Sequence, residues 1–202
     1  MKLYYAPGAC SLAPHIVARE AGVPLELVKV DLQRHQIADT GASYTALNPK
    51  NSVPAIQLDD GQVLTEAAAL VQWVAEQGSE PGLLPASGLE RFRVIEWLNF
   101  VSTELHKGLG PLWRRPDAAA RAAIIERLNT RFDLVEARLA EHEYVAADRF
   151  TVADAYTFTV LSWAGPLEVD LSAYPKLQAY LQRIAARPAV QEALAAEGLL
   201  NG

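Results

Sequence analysis

Between residues 78 and 88 the chain runs through GSEPGLLPASG, and the pattern of apolar residues is of a different kind on either side of it. Before this connector, short strand-like runs alternate with helical ones. After it, every apolar residue recurs at helical spacing and no strand pattern competes. One layer arrangement cannot serve both halves, because the first needs a sheet covered by helices and the second needs helices packed on helices. The spacing therefore predicts two domains, residues 1–78 and 88–202.

In the first half, KLYY and LELVKV read as strands, with SLAPHIVAREAG between them as a helix that closes on Gly22. AIQL and QVL flank Asp59-Asp60-Gly61, a hairpin signal. TEAAALVQWVAEQG then reads as a helix with an N-cap at Thr65 and a stop at Gly78. The order is β-α-β, a middle loop or helix, then β-β-α. Four strands in that order, parallel then antiparallel, are the thioredoxin-like arrangement.

In the second half, Leu89, Phe92, Ile95, Leu98 and Val101 recur at three-residue steps. Ile124, Ile125, Leu128, Phe132, Val135 and Leu139 mark a second long amphipathic helix. Thr151 followed by Asp154 is a capping-box signature at the head of a third. The fold class expected is thus an α/β thioredoxin-like N-terminal domain with an all-α C-terminal domain.

Half of the 202 residues are hydrophobic, enough for a sizeable core. The 18 basic residues stand singly or in pairs against 24 acidic ones, a net charge of -6, which argues against a nucleic-acid surface. No apolar run approaches the ~18 residues of a membrane helix. Pro7, Pro14 and His15 interrupt any signal-peptide core, so no export signal is read. The single cysteine permits no internal disulfide, fits a reducing cytoplasm and leaves a thiol open to chemistry.

That thiol, Cys10, follows a strand and Pro7-Gly8 and precedes a helix, where unpaired amides and the helix dipole favour an anion. A small buried hydrophobe is the competing reading. Lowering an ordinary thiol pKa by ~1.5 units needs ~2 kcal/mol, whereas a helix terminus supplies about 0.3–1 kcal/mol. A second donor is wanted. Asn99, Thr103 and His106 fall at i, i+4 and i+7, with Lys107 beside them, so their polar groups are expected to share one face of the first long helix of the second half; a solvated polar face is the alternative. Val53-Pro54 precedes a strand, and a cis bond would turn the Val53 backbone outward to pair with a peptide-like ligand. Glu66-Ala67 at a helix start offers a carboxylate to an ammonium group and an amide to a carboxylate. Together these describe a pocket for a small zwitterionic peptide with its own thiol.

These residues resemble the beta-class, bacterial-type glutathione transferases, from MKLYYAPGACSLAPHIVARE through NSVPAIQLDDGQVLTEAAALVQWVA and EWLNFVSTELHKG to FTVADAYTFTVLSWA and YLQRIAARPAVQEAL. The resemblance implies a homodimer that takes glutathione as co-substrate, without a metal, and conjugates it to small hydrophobic electrophiles in detoxification. It implies Cys10 at the glutathione sulfur, with His106 adding favourable potential. It implies Val53, with Pro54 cis, on the cysteinyl unit, and Glu66 and the Ala67 amide on the γ-glutamyl end. Asn99, Thr103, His106 and Lys107 would close the site from the helical domain, and Glu104 would reach the site of the other subunit. Where relatives present a lysine to the glycyl carboxylate, this chain offers Arg34 and His35, and both stay open. Tyr5 lies near the expected site. Trp163 is expected in the core, while Trp113 and Leu112 are open between wall and core.

Cys10 could donate a hydrogen bond to the glutathione thiolate. It could instead attack a disulfide itself, giving thiol-disulfide exchange or a peroxidase; with Ala13 in place of a second cysteine, glutathione would then have to resolve the mixed disulfide. A non-catalytic binding or scaffold role on the same fold is the alternative of another class.

Overall fold

In the computed structural model, which describes residues 1–200, strands β1 (Lys2–Tyr5), β2 (Glu26–Asp31), β3 (Gln36–Ile37), β4 (Ala55–Gln57) and β5 (Val63–Thr65) form one sheet. Their order is β3-β2-β1-β4-β5. β1 and β2 are parallel because helix α1 (Leu12–Ala21) carries the chain back between them; the other pairs are antiparallel. This is the thioredoxin-like order with one strand more than the sequence pattern predicts. β3 is two residues long, pairing with Val30 and Asp31, so it has no alternation of its own to read.

Helix α2 (Ala67–Gln77) packs on α1, and glycines mark where the two helices end. Gly22 closes α1 at φ 67°, a left-handed position suited to a residue without Cβ. Gly78 is required by proximity, because a Cβ there would lie 2.5 Å from the Ala21 carbonyl oxygen. Thr65 is not the N-cap of α2. It ends β5, paired with Ala55, and Glu66 takes the cap position at φ 74°.

The chain divides into two compact units, Met1–Leu83 together with the described residues from Pro188 onward, and Leu84–Arg187. A boundary that assigns everything after residue 88 to the helical domain therefore misplaces α8 (Pro188–Ala196), which packs on α1 with Val190 and Ala193 buried. Periodicity gives the face of a helix and not the partner it meets.

The second unit contains α3 (Gly88–Phe100), a π-helical turn (Val101–His106), α4 (Lys107–Leu109), α5 (Ala118–Glu141), α6 (Val152–Leu161) and α7 (Pro175–Ala185). The core stripe expected on α3 needs correction. Leu89 and Phe92 are 72% and 66% exposed, and the buried face runs through Val94, Leu98, Val101 and Leu105. Three-residue steps fall short of the 3.6-residue turn, so such a stripe winds around the helix, while steps of four and three stay on one face. On α5 the expected residues Leu128, Phe132, Val135 and Leu139 are buried; Ile124 and Ile125 are partly so.

Helix α6 is buried along its whole length, against α3, the π turn and α7. Its capping box is formed: the Thr151 amide donates to Asp154 Oδ2 at 2.9 Å while the Thr151 hydroxyl accepts amide donors of the first turn. Asp154 also accepts from the Val145 amide (3.0 Å), the Thr151 hydroxyl (3.0 Å) and the Tyr180 hydroxyl (3.1 Å). Complete burial pushes its carboxyl from 3.8 up to about 6, against the pull of those donors. Between about pH 4 and 6 the folded chain thus holds a proton that the unfolded chain releases. This contribution is full below about 4 and is lost as pH rises through about 6, a span worth about 3 kcal/mol. Asp154→Asn should lower the unfolding free energy from urea titration throughout, by about 2–4 kcal/mol, because its amide group would face donors. It should also flatten the pH dependence of stability between pH 4 and 6.5; unchanged curvature would exclude Asp154 as the titrating group.

Candidate functional site

The pairing of β1 with β4 sets the geometry around the cysteine. Tyr4 lies opposite Ala55, so the chain leaving β1 at Ala6 passes the chain entering β4 at Val53-Pro54. The Val53–Pro54 bond is cis. Cys10 is 9% exposed, and its thiol donates to the Val53 carbonyl oxygen at 3.0 Å. That carbonyl is therefore engaged by the chain itself. A hydrogen bond of this kind exists only for the protonated thiol. The amides expected to be available at the head of α1 are partly used as well: Leu12 N–H bonds to Ala9 O and Ala13 N–H to Cys10 O. Ser11 brackets Ala6, its hydroxyl lying 3.2 Å from both the Ala6 amide and the Ala6 carbonyl. Burial, with the Glu197 and Asp39 carboxylates nearby, pushes the Tyr5 phenol above its ordinary value, so its proton is held.

The loop before Val53 is built on Tyr44 and Asn48. The Tyr44 hydroxyl and the Asn48 side-chain amide both donate to Ser52 O at 2.8 Å, and Asn51 takes φ 47° with its amide on Leu32 O. The Asn51 Oδ1 atom is buried without a hydrogen-bond partner. From this loop Lys50 extends to Glu66 Oε1 (2.5 Å) and Thr65 Oγ1 (2.9 Å). Glu66 holds a left-handed backbone unfavourable for a residue with a side chain, a state that costs about 1–3 kcal/mol, and it begins α2 with the Ala67 amide next in line. An ammonium and a carboxylate thus stand side by side at a helix N-terminus. Arg34 and His35 are exposed between β2 and β3, and Arg34 lies 3.7 Å from Asp31. The cation placed beside Glu66 is Lys50, immediately before the NSVP stretch; no periodicity distinguishes it in the sequence from any surface lysine.

In the second unit the polar residues do not share one face. Asn99 donates its amide to Ile95 O (2.8 Å), and the Thr103 hydroxyl donates to Asn99 O (3.0 Å), so both bond to their own helix. The π-helical turn from Val101 to His106 then shifts the phase. Thr103, Glu104 and Lys107 line a cleft of about 230 Å³ with Leu128 and Arg131 of α5, whereas His106 turns toward α6. His106 Nδ1 and the Tyr156 hydroxyl share a 2.7 Å hydrogen bond, and the imidazole stands edge-on to Trp163 at 4.9 Å. Tyr156 carries no sequence signal of its own, because it lies within a helix that is buried along its whole length. Glu104 is held by Arg131 of the same chain through contacts of 2.9 and 2.8 Å. Trp163 and Leu112 are core residues, and Trp113 is half exposed.

Among the described residues no group of three or more His, Cys, Asp or Glu is placed to hold a metal ion, and no helix is long and apolar enough to cross a membrane.

The glutathione S-transferase N-terminal domain family matches residues 8–77, and the glutathione S-transferase C-terminal domain family matches residues 100–188. The chain is 45% identical to glutathione S-transferase GstA of Escherichia coli O157:H7, over 98% of this chain and 100% of that one. A sphingomonad glutathione S-transferase complexed with glutathione superposes with a TM-score of 0.92 at 42% identity, covering 98% of this chain and 100% of the other. The bacterial beta-class glutathione S-transferase of Sphingomonas chungbukensis does so with 0.93 at 42%, covering 99% and 100%. With both domain families matched in order and relatives of this identity along nearly the whole length, the chain belongs to the glutathione S-transferase family.

Proposed function

We propose that this chain is a beta-class glutathione S-transferase that joins the glutathione sulfur to small hydrophobic electrophiles, with Cys10 acting as a hydrogen-bond donor. The observation that carries the reading is the Cys10 thiol donating to the Val53 carbonyl at 3.0 Å. A thiol already held as a donor needs only to change acceptor to serve a bound thiolate. Glutathione then supplies the nucleophile: its sulfur forms a bond to the electrophilic carbon, and the leaving group departs with the bonding electrons. Glu66 would take the γ-glutamyl ammonium group, while the Ala67 amide and Lys50 take its carboxylate. His106, oriented by Tyr156, is assigned the second catalytic place, and Asn99, Thr103 and Lys107 the remaining glutathione contacts. A cytoplasmic location is part of the same reading, supported by a sequence that holds one cysteine.

Cys10→Ser keeps a donor and removes the thiol. It should retain conjugation of a halogenated aromatic within a few-fold, while Cys10→Ala loses about tenfold to a hundredfold in kcat/KM. Conjugation that survives with modest loss in Cys10→Ala, while exchange with a glutathione disulfide disappears, would assign Cys10 to covalent thiol-disulfide exchange instead. Failure of the wild-type chain to bind glutathione-agarose would turn the reading to a non-catalytic scaffold.

Lys50 and Glu66 are each more than half exposed, so their contact adds at most about 1 kcal/mol to stability. Lys50→Ala should therefore leave the melting temperature nearly unchanged and raise KM for glutathione about tenfold with little change in kcat. An unchanged KM would remove Lys50 from the site.

A homodimer belongs to the same proposal. Leu89 and Phe92 form an apolar, solvent-facing stretch of α3 that a second copy would cover. Light scattering should give twice the chain mass for the wild type and a shift toward monomer for Phe92→Glu; a monomeric wild type would refute the dimer.

A further inference from the structure

We propose that Glu197 is a positioning residue for the thiol site, because its buried carboxylate joins the end of α8 to the Gly8 amide in the turn that presents Cys10. The inference rests on Cys10 lying at the glutathione sulfur.

Glu197 is an unfavourable choice for the fold alone. It follows the last turn of α8 in ALAAEGLL, where the helix dipole disfavours a negative charge. Its side chain is fully buried, and burial of a carboxylate costs several kcal/mol before its partners are counted. Those partners are specific. Oε2 accepts from the Gly8 amide at 2.9 Å, and Oε1 lies 2.9 Å from Nδ1 of His15, itself buried on α1. Arg19, one turn further along α1, directs its Nε–H at His15 Nε2 at 3.5 Å, an arrangement that leaves the proton on Nδ1 to be donated to Glu197.

The helix end is shaped for this contact. Gly198 sits at φ 75°, and Leu199 N–H returns to Leu194 O while Gly198 N–H bonds to Ala195 O, the pairing of a Schellman motif. The reversal sets the Leu199 side chain over Gly8, 3.7 Å from where a Cβ would stand. Segment 6–10 is thereby fastened from several sides: Ala6 to Ser11, the Ala9 and Cys10 carbonyls to α1, Cys10 Sγ to Val53, and Gly8 to Glu197. The Glu197 contact comes from the end of a helix and joins residues 189 apart in the chain. Its negative charge is also felt at Tyr5, the last residue of β1 before the turn.

The test compares Glu197→Ala, Glu197→Asp, Glu197→Gln and Val190→Ala, the last a truncation of a buried apolar side chain on the same helix. The measurements are the melting temperature, kcat and KM for glutathione, and the rate of Cys10 alkylation by iodoacetamide. Loss of the Gly8 tether should raise KM about tenfold in the alanine variant and shift the alkylation rate by at least threefold. The aspartate variant, one methylene short, should fall between it and the wild type and carries the test should the alanine variant not fold. Glutamine, whose amide oxygen can accept from Gly8, should restore both values. Val190→Ala should lose stability and keep the wild-type KM and alkylation rate. Wild-type values in the alanine and aspartate variants, or the same changes in Val190→Ala, would overturn the proposal. Alkylation reports the geometry of the turn whatever Cys10 does in catalysis, so a failed assignment of Cys10, seen in its own alanine variant, is distinguishable from a failed tether.

Discussion

Antiparallel pairing of β1 with β4 is the constraint on which the thiol site depends. The two strands run past each other with Leu3 opposite Ile56, both fully buried, so a slip of one residue would expose this pair. That register brings the exit of one strand beside the entry to the other. Cys10 and Val53, 43 residues apart, meet because of it. The remaining contacts of segment 6–10 refine a placement that the sheet has already made.

Within each unit, the polar groups named in the proposal contribute little to the fold around them. Lys50 and Glu66 form an exposed pair of negligible stabilising value, and Glu66 does so from an unfavourable backbone state. Asn51 leaves a buried oxygen without a partner. His106 lies at the end of a π-helical turn, where regular α-helical hydrogen bonding is interrupted. By contrast Asp154, buried to a comparable degree as Glu197, accepts four hydrogen bonds within its own unit and anchors α6. Burial and pairing look alike in these two carboxylates; what separates them is the segment each one restrains.

Sequence legibility followed the range of the interactions involved. The Asp59-Asp60-Gly61 hairpin, the Gly22 stop and the Thr151–Asp154 capping box each depend on neighbours a few residues apart, and each is present. The α3 stripe failed because a three-residue repeat only approximates a helical face, and the shared face of Asn99, Thr103 and His106 failed because a π turn cannot be read from apolar spacing. Lys50 beside Glu66 and Tyr156 beside His106 escaped for a different reason: each partner comes from another element, and neither residue differs in kind from its neighbours in sequence. Glu197 did carry a signal, as a lone acid among apolar residues at the wrong end of a helix dipole.

The sequence by itself determined the change of pattern between the two halves, helices α1, α2, α3, α5 and α6, and four of the five strands, since periodicity and caps are local properties of the chain. It also determined which residue types were present for thiol chemistry, with a single cysteine to consider. Only the tertiary structure decided that this thiol donates to Val53, that α8 belongs with the first unit, and that a carboxylate from its end holds the Gly8 amide. Those outcomes depend on which surfaces meet when apolar faces are buried, and pairwise choices among distant elements leave no periodic trace in the chain.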